Sequence, residues 1–212
     1  LGISRPAVMS TADGKFNQFL GKREWRAIEK RKYSHRRILQ CKGTKPARRK
    51  LKVLSRKVNR FRKDCDHVLA RQIVDSVPTG TTLVFENLKD ILERCGRKKG
   101  KVQNQRMHRW GFDRLFEFVG YKSQLAGIGV VKVDPRNTSR RCSKCGDVRK
   151  CNRKSQSQFK CHACPNSLNA DLNAARNIAL KFAPVGMPTG DGCLSANPMS
   201  RDLKIPVTSP RL

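Results

Sequence analysis

Four of the nine cysteines form two CxxC pairs that are separated by 15 residues, and this spacing constrains the fold more than any other feature of the sequence. Two residues between paired cysteines allow a tight turn to point both sulfurs at one metal ion. The 15-residue gap is long enough for a β-hairpin that brings the second pair back to the first. Four thiolates suit tetrahedral Zn²⁺ and close its coordination, which is typical of a structural site. The predicted zinc ligands are Cys142, Cys145, Cys161 and Cys164.

Such a site can contribute on the order of 10 kcal/mol to the folding of a small ribbon. Replacement of one ligand by Cys151 or His162 is an alternative, but both residues lie outside the CxxC register. Among the scattered cysteines, Cys65 fits an apolar helical stripe and is expected in the core. The paired spacing in a chain of 212 residues does not indicate a disulfide framework and favours a reducing compartment.

The charge of the chain points to a polyanionic partner. The sequence has 47 Lys+Arg against 16 Asp+Glu, for a formal net charge of +31. Nucleic acid is the first candidate for that partner. An anionic membrane surface is the second, but no stretch approaches the roughly 18 apolar residues of a membrane span.

The basic residues concentrate in a segment predicted to be a helical hairpin, residues 22–77. Between Lys22 and Lys63 we count 19 Lys and Arg against Glu24 and Glu29. Thr44 followed by Pro46 indicates the start of the second helix. That helix carries an apolar stripe at three- and four-residue spacing, formed by Leu51, Leu54, Val58, Phe61, Cys65, Leu69 and Ile73.

Buried strands and helices are predicted on both sides of this hairpin. Asp13-Gly14 marks a turn between two short strands near the beginning of the chain. "TTLVFENL" is a strand that ends at Glu86, and residues 87–108 are expected to form a mobile loop or lid. A helix follows with Trp110, Leu115, Phe116 and Val119 on one face, then a strand over 128–133. The Pro-, Gly- and Ser-rich stretch 183–212 is predicted to be a disordered tail.

Two carboxylates stand out in this basic chain. Glu86 ends a hydrophobic strand, where a charge is costly without a partner such as a metal ion. Asp171 begins the Ala-rich helix that follows the cysteines. A surface position for Glu86 and a helix-cap role for Asp171 are the structural alternatives. Together the two residues are candidates for the Mg²⁺ ligands with which many nucleases cleave phosphodiesters.

Three stretches of the sequence resemble the TnpB (OrfB) family of transposon-encoded, RNA-guided DNA nucleases, which are related to type V CRISPR effectors. They are "LVFENL", "RWGFDRLFEFVGYKSQLAGIGVVKVDPRNTSRRCSKCG" and "FKCHACPNSLNADLNAARNI", and the likeness covers roughly residues 1–182. It implies an α/β, RNase H-like (RuvC-type) nuclease domain with a basic helical hairpin and an inserted four-cysteine zinc ribbon. The implied organisation is a nuclease core over 1–139, the ribbon over 140–166, the final helix over 167–182 and the tail.

The resemblance also implies the chemistry. Glu86 and Asp171 match the second and third of the family's three catalytic carboxylates, which bind Mg²⁺ or Mn²⁺. The first is an Asp in a "G-[IV]-D-L-G" strand, and because "LGIS" matches the residues after it, that Asp is expected to be missing from these 212 residues. The implied partners are DNA and a guide RNA, and the implied location is the cytoplasm of a prokaryote, in association with the nucleoid.

Other functions remain open on these grounds. A nuclease-dead fragment or homologue that binds RNA or DNA through its charge is the main alternative. The ribbon by itself would also allow a DNA transposase or a zinc-ribbon transcription factor. The order of the motifs fits neither, and the two tyrosines, Tyr33 and Tyr121, form no catalytic constellation.

Overall fold

The computed structural model describes residues 6–88 and 112–182, with the side chain of Arg23 left out. Most of the predicted loop at 87–108, the predicted position of Trp110 and the predicted tail lie outside these residues. The described helices and strands, in chain order, give a mixed α/β protein with four helices and six strands. None of these helices combines the length and the apolar character that a membrane span requires.

The first two strands form the predicted hairpin. Strand β1 (Ala7–Ser10) pairs antiparallel with β2 (Asn17–Leu20). Gly14 adopts a φ of 74° in the connecting turn, where a residue with a side chain is disfavoured. A Cβ atom at this position would also lie 2.6 Å from the guanidinium carbon of Arg176. The Asp13-Gly14 turn is thus confirmed, and the close approach to Arg176 is an added reason for the glycine.

Two long basic helices follow, α1 (Arg23–Lys42) and α2 (Lys45–Asp75). Gly43 ends α1 in the left-handed conformation. The Thr44 hydroxyl accepts a hydrogen bond from the Ala47 backbone N–H at 3.4 Å, as expected for an N-cap. Glu29 on α1 and Arg62 on α2 form an ion pair, with Nε and Oε1 2.7 Å apart. Helix α1 packs along α2, so the two form a helical hairpin.

The apolar stripe of α2 is buried unevenly. Leu69 and Ile73 are buried, whereas Leu51, Leu54 and Val58 are half-buried. The reason is that the last turns of α2 belong to the main core together with helix α3 (Phe112–Leu125) and the strands, whereas the first turns contribute no residue to that core. Cys65, expected in the core, is half-buried at the transition.

Strand β3 (Thr82–Glu86) pairs in parallel with β4 (Gly129–Val133), and α3 lies between them in the chain. The main core lies where these strands meet α2 and α3, with Leu83, Leu115, Val119 and Ile128 buried against Leu69 and Ile73. Arg114 on α3 binds Asp66 on α2, with Nε and Oδ2 2.7 Å apart. The predicted strand ending at Glu86 is confirmed.

The last elements are β5 (Gln158–Lys160), β6 (Ser167–Asn169) and helix α4 (Ala170–Leu180). Helix α4 packs against β1, β3, β5 and β6 and so joins the ribbon to the core. Within residues 6–88 and 112–182, the strands form three two-stranded sheets, β1-β2, β3-β4 and β5-β6. A continuous RNase H-like sheet therefore stays a prediction of the resemblance.

Candidate functional site

The four predicted zinc ligands converge on one point. Their sulfur atoms all lie within 4.8 Å of one another, and in the described part of the chain no other group of three or more His, Cys, Asp or Glu side chains does this. The Sγ atoms of Cys142 and Cys164 are 3.7 Å apart, and those of Cys145 and Cys161 are 3.6 Å apart. Sulfurs bound at about 2.3 Å to a tetrahedral zinc ion lie about 3.8 Å apart. The cluster therefore fits a structural zinc ion, and it includes neither Cys151 nor His162.

Hydrogen bonds to sulfur favour the thiolate form of Cys142 in the cluster. Asn166 donates its side-chain N–H to Cys142 Sγ at 3.2 Å, and the Ala163 backbone N–H donates to Cys161 Sγ at 3.3 Å. Burial opposes ionisation of Cys142, but N–H groups of Cys145, Asn166 and Lys144 outweigh it and lower the pKa of this thiol to about 6. These donors favour the thiolate form, which is the form that binds metal.

A buried asparagine organises the segment between the two cysteine pairs. Asn152 is fully buried and donates to Asp147 Oδ2 at 2.9 Å and to the Arg140 carbonyl at 3.3 Å. Its own carbonyl oxygen accepts the His162 backbone N–H at 3.1 Å. The segment contains a short 3-10 turn and isolated bridges, and β5 is its single regular strand within the described residues. The regular hairpin β5-β6 flanks the second cysteine pair, so the predicted hairpin between the pairs is only partly formed.

Two further asparagines attach the ribbon to α4. Asn173 donates to the Arg141 carbonyl at 2.7 Å and accepts the Ser143 backbone N–H at 3.1 Å. Asn177, one turn later on the same helix face, donates to the carbonyls of Thr138 at 2.9 Å and Arg141 at 2.6 Å. Both side chains are buried, so their hydrogen bonds fix the backbone that leads into the first cysteine pair.

The same backbone reaches Glu86. Thr138 is buried, and its hydroxyl donates to Glu86 Oε1 at 2.8 Å. Thr138 is in turn held by Asn177 through its carbonyl. The half-buried carboxylate at the end of β3 is thus connected through two residues to α4. Sequence reasoning missed Thr138, Asn152, Asn173 and Asn177, although Asn173 and Asn177 at i, i+4 in an Ala-rich helix were a signal of a shared face.

Asp171 lies in the first turn of α4. The Asn169 side chain caps this helix by accepting the backbone N–H groups of Asp171 at 2.9 Å and Leu172 at 3.4 Å. Asp171 itself is therefore not the cap. Its Oδ1 lies 3.6 Å from Nη2 of Arg153, which comes from the segment between the cysteine pairs, and the Asp171 side chain is 31% exposed. Its carboxylate is accessible and faces a cation of the ribbon.

The two candidate catalytic carboxylates come from elements that touch, because α4 packs against β3. Neither Glu86 nor Asp171 belongs to a described group of three or more potential metal ligands within 4.8 Å. Their assignment to one metal centre therefore stays a prediction.

The histidine at position 67 has a packing role. Its ring stacks on Phe118, with ring centroids 3.7 Å apart, and its Nδ1 lies 3.4 Å from the Tyr121 hydroxyl. Both partners belong to α3, and neither is predictable from the spacing of the histidines in the sequence.

Comparison with known proteins agrees with this architecture. Residues 112–178 match the family model described as "Cas12f1-like, TNB domain", a range that contains the cysteine cluster and Asp171. The CRISPR-associated endodeoxyribonuclease Cas12f1 of Sulfoacidibacillus thermotolerans is 39% identical over 126 residues, which cover 58% of this chain and 28% of the relative. The TnpB-like protein MJ0751 of Methanocaldococcus jannaschii is 30% identical over 142 residues, which cover 65% of this chain and 50% of the relative.

The fold is similar to that of a Cas12f1 structure. The cryo-EM structure of the Cas12f1-sgRNA-target DNA complex matches with a TM-score of 0.66 and 29% identity, over 84% of this chain and 48% of that chain. This chain thus spans about a quarter to a half of the length of the proteins compared. The fold is similar to that of Cas12f1, and the sequence is similar to those of Cas12f1 and TnpB-like proteins.

Proposed function

We propose that this chain is the nuclease part of an RNA-guided DNA endonuclease, a RuvC-like domain of RNase H-like fold. The names of its relatives support this activity: Cas12f1 is an endodeoxyribonuclease, and the matched structure contains a guide RNA and target DNA. The proposed organisation is a nuclease core over 1–139, the zinc ribbon over 140–166, the final helix over 167–182 and a tail. A cytoplasmic, nucleoid-associated location is part of the same proposal.

One observation carries the proposal most directly. Helix α4, which begins with Asp171 in its first turn, packs against β1 and against β3, the strand that ends at Glu86. The two carboxylates therefore belong to contacting elements of the core, and the ribbon lies between β4 and α4 in the chain. A helix that follows the ribbon and returns to the core strands is the arrangement that the resemblance implies.

Glu86 and Asp171 are the proposed ligands of a catalytic Mg²⁺ or Mn²⁺. The donor set fits such an ion, because carboxylate oxygens are the ligands that these hard cations prefer. A bound ion of this kind stabilises charge on the phosphate and makes water a better nucleophile. Thr138 restricts the orientation of Glu86 through the 2.8 Å hydrogen bond, and Asn169 fixes the first turn that carries Asp171.

The basic hairpin α1–α2 is the proposed contact surface for nucleic acid. The second half of α1 and the first turns of α2 contribute no residue to the main core, and they carry most of the Lys and Arg of residues 22–63. Cations along two long helices neutralise backbone phosphates without reading bases. The proposed partners are target DNA and a guide RNA.

The experiment compares DNA cleavage by matched variants in the presence of Mg²⁺ and guide RNA. It uses this chain and the same chain preceded by the residues "G-[IV]-D" of the family's strand. Glu86→Gln and Asp171→Asn should lower the cleavage rate by more than the roughly 10–100-fold typical of residues that only orient a ligand. Glu117→Gln and Asp113→Asn, both exposed on α3, are the matched controls. Cleavage that persists in either Glu86→Gln or Asp171→Asn would refute the assignment.

The second candidate function is nucleic-acid binding without cleavage. It is favoured by the fact that, in the described part of the chain, neither carboxylate belongs to a compact group of three potential ligands. Binding of DNA or RNA with no cleavage by either form of the chain would support it.

A further inference from the structure

A rigid turn connects β4 to the first cysteine pair. The Arg136 backbone N–H donates to Asp134 Oδ1 at 3.1 Å, which begins the turn. The Asn137 carbonyl accepts the backbone N–H groups of Arg140 and Arg141, both at 2.9 Å. Asn137 adopts a φ of 62°, a left-handed conformation that asparagine tolerates better than most residues. The chain therefore reverses direction sharply at Asn137.

Side chains of helix α4 and of the residue after it donate hydrogen bonds to backbone carbonyls of this turn. Lys181 donates its ammonium group to the carbonyls of Asp134 and Arg136, both at 2.8 Å. Asn177 donates to the Thr138 carbonyl at 2.9 Å. Because three backbone carbonyls of the turn are bound by side chains of α4 or of the residue at its end, the turn is preorganised before any ligand arrives.

The residues of this turn have two different environments. Thr138 is buried and binds Glu86. Arg136, Asn137, Ser139 and Arg140 line an open concavity of about 320 Å³. The residue that binds the candidate catalytic carboxylate thus belongs to the same turn as the residues that line the concavity.

The chemistry of the concavity is that of an anion site. It presents two guanidinium groups, one side-chain amide and one hydroxyl, and none of the lining residues is acidic. Arg136 is 81% exposed, and its pairing with the exposed Asp134, at 3.8 Å, is weak enough to exchange for a ligand. Guanidinium groups match the geometry of phosphate oxygens in a two-pronged hydrogen-bonded arrangement.

We propose that this concavity binds a backbone phosphate of the single DNA strand whose neighbouring phosphodiester reaches Glu86. The inference rests on the proposed nuclease function and adds to it a specific subsite: Arg136 and Arg140 hold the phosphate, and Asn137 and Ser139 complete its hydrogen bonding. The preorganised turn links the position of that phosphate to the position of Glu86, because Thr138 belongs to the turn and binds the carboxylate.

The test measures binding rather than cleavage, so that its result does not depend on the metal ligands. The zinc-loaded chain is titrated against a fluorescein-labelled single-stranded oligodeoxynucleotide by fluorescence anisotropy at several salt concentrations. The variants are Arg136→Gln with Arg140→Gln, and Arg136→Lys with Arg140→Lys, which keeps both charges. The single variant Arg140→Gln is also measured. Its control is Lys15→Gln, which removes one charge at an exposed position of the β1-β2 turn.

The expected result for the double Gln variant is about a tenfold loss of affinity, together with a shallower salt dependence. The slope of log K against log salt should decrease by about 0.7, since one phosphate that is no longer neutralised on a single strand accounts for about 0.7. The double Lys variant should lose at least about threefold, since an ammonium group does not reproduce the two-pronged arrangement. Lys15→Gln should lose less than Arg140→Gln.

Two results would overturn the inference. One is parental affinity in the double Gln variant. The other is parental affinity in the double Lys variant together with a loss in the Gln variant, because that pattern indicates a general electrostatic field without a phosphate subsite. If the subsite is confirmed while Glu86→Gln still cleaves DNA, the proposed catalytic assignment fails and the binding site stands.

Discussion

The hydroxyl of Thr138 donates a 2.8 Å hydrogen bond to Oε1 of Glu86 and so joins the turn before the ribbon to the end of β3. Thr138 is 3% exposed, and its carbonyl is bound by Asn177 of α4. The orientation of a candidate metal ligand on a core strand thus depends on backbone held by the final helix.

Thr138→Val keeps the shape of the side chain and removes the hydroxyl, which donates to Glu86 at 2.8 Å and also lies 3.0 Å from the Pro135 carbonyl. We expect a loss of about 1–2 kcal/mol in the free energy of unfolding, because a part-buried carboxylate loses a hydrogen bond. Urea denaturation measures this loss. Thr138→Ser, which retains the hydroxyl, is the control and should lose less. Equal stability of Thr138→Val and the parent would show that the hydrogen bond contributes nothing to the fold.

Removal of zinc should unfold the ribbon and leave the main core folded. Without a cation the four cysteines lose the ligand that they share, whereas the core of α2, α3, β3 and β4 is separate from the ribbon cluster. After treatment with a chelator, hydrogen exchange should accelerate over residues 140–166. Cys161→Ser should reproduce this effect, and Cys41→Ser, an exposed cysteine on α1, should not. Unchanged protection of 140–166 without metal would contradict structural zinc.

Asn177→Ala should weaken the connection between α4 and the ribbon. The substitution removes donors to two backbone carbonyls, Thr138 and Arg141, and leaves them without this partner. The expected cost is about 1–3 kcal/mol in the free energy of unfolding. Hydrogen exchange of the 138–143 backbone should accelerate more than that of α3. Gln124→Ala, at an exposed position of α3, is the control.

Cys65 should react slowly with alkylating reagents. Burial, followed by the negative charges of Asp64, Asp66 and Glu29, raises the pKa of this thiol from 9.0 to about 11. Because the thiolate is the reactive form, the alkylation rate of Cys65 should still rise between pH 9 and pH 11. Mass spectrometry of iodoacetamide-treated protein over a pH series from about 7 to about 11 measures this rate.

The raised pKa of Cys65 also determines the direction in which its contribution to the free energy of unfolding changes with pH. The folded state holds the Cys65 proton more tightly than the unfolded state does, so this contribution is complete below about pH 9 and decreases as the pH rises toward 11. Cys65→Ser should reduce the loss of stability over that window. An identical pH dependence in Cys65→Ser would contradict this origin.

Local patterns in the sequence were sufficient to predict secondary-structure elements and the cysteine cluster. The Asp13-Gly14 turn, the Thr44 start of α2 and the strand ending at Glu86 depend on residues that are close in the chain, and each was confirmed. The CxxC pairs were also predictable, because metal coordination imposes its own spacing. The N-cap of α4 was harder to predict from the sequence, because Asn169 and Asp171 both suit a helix start. The structure assigns the cap to Asn169.

By itself, the sequence predicted the basic hairpin and the ribbon ligands from composition, periodicity and short spacings, and its resemblance to a known family supplied the match of the two candidate carboxylates. Only the tertiary structure decided which polar groups meet. Thr138 finds Glu86 across 52 residues, and Asn177 finds Thr138 across 39. A hydrogen bond requires a distance of about 3 Å and a suitable direction, and neither follows from the identity of the donor and acceptor residues. Packing of α4 against β1, β3 and the turn sets both the distance and the direction.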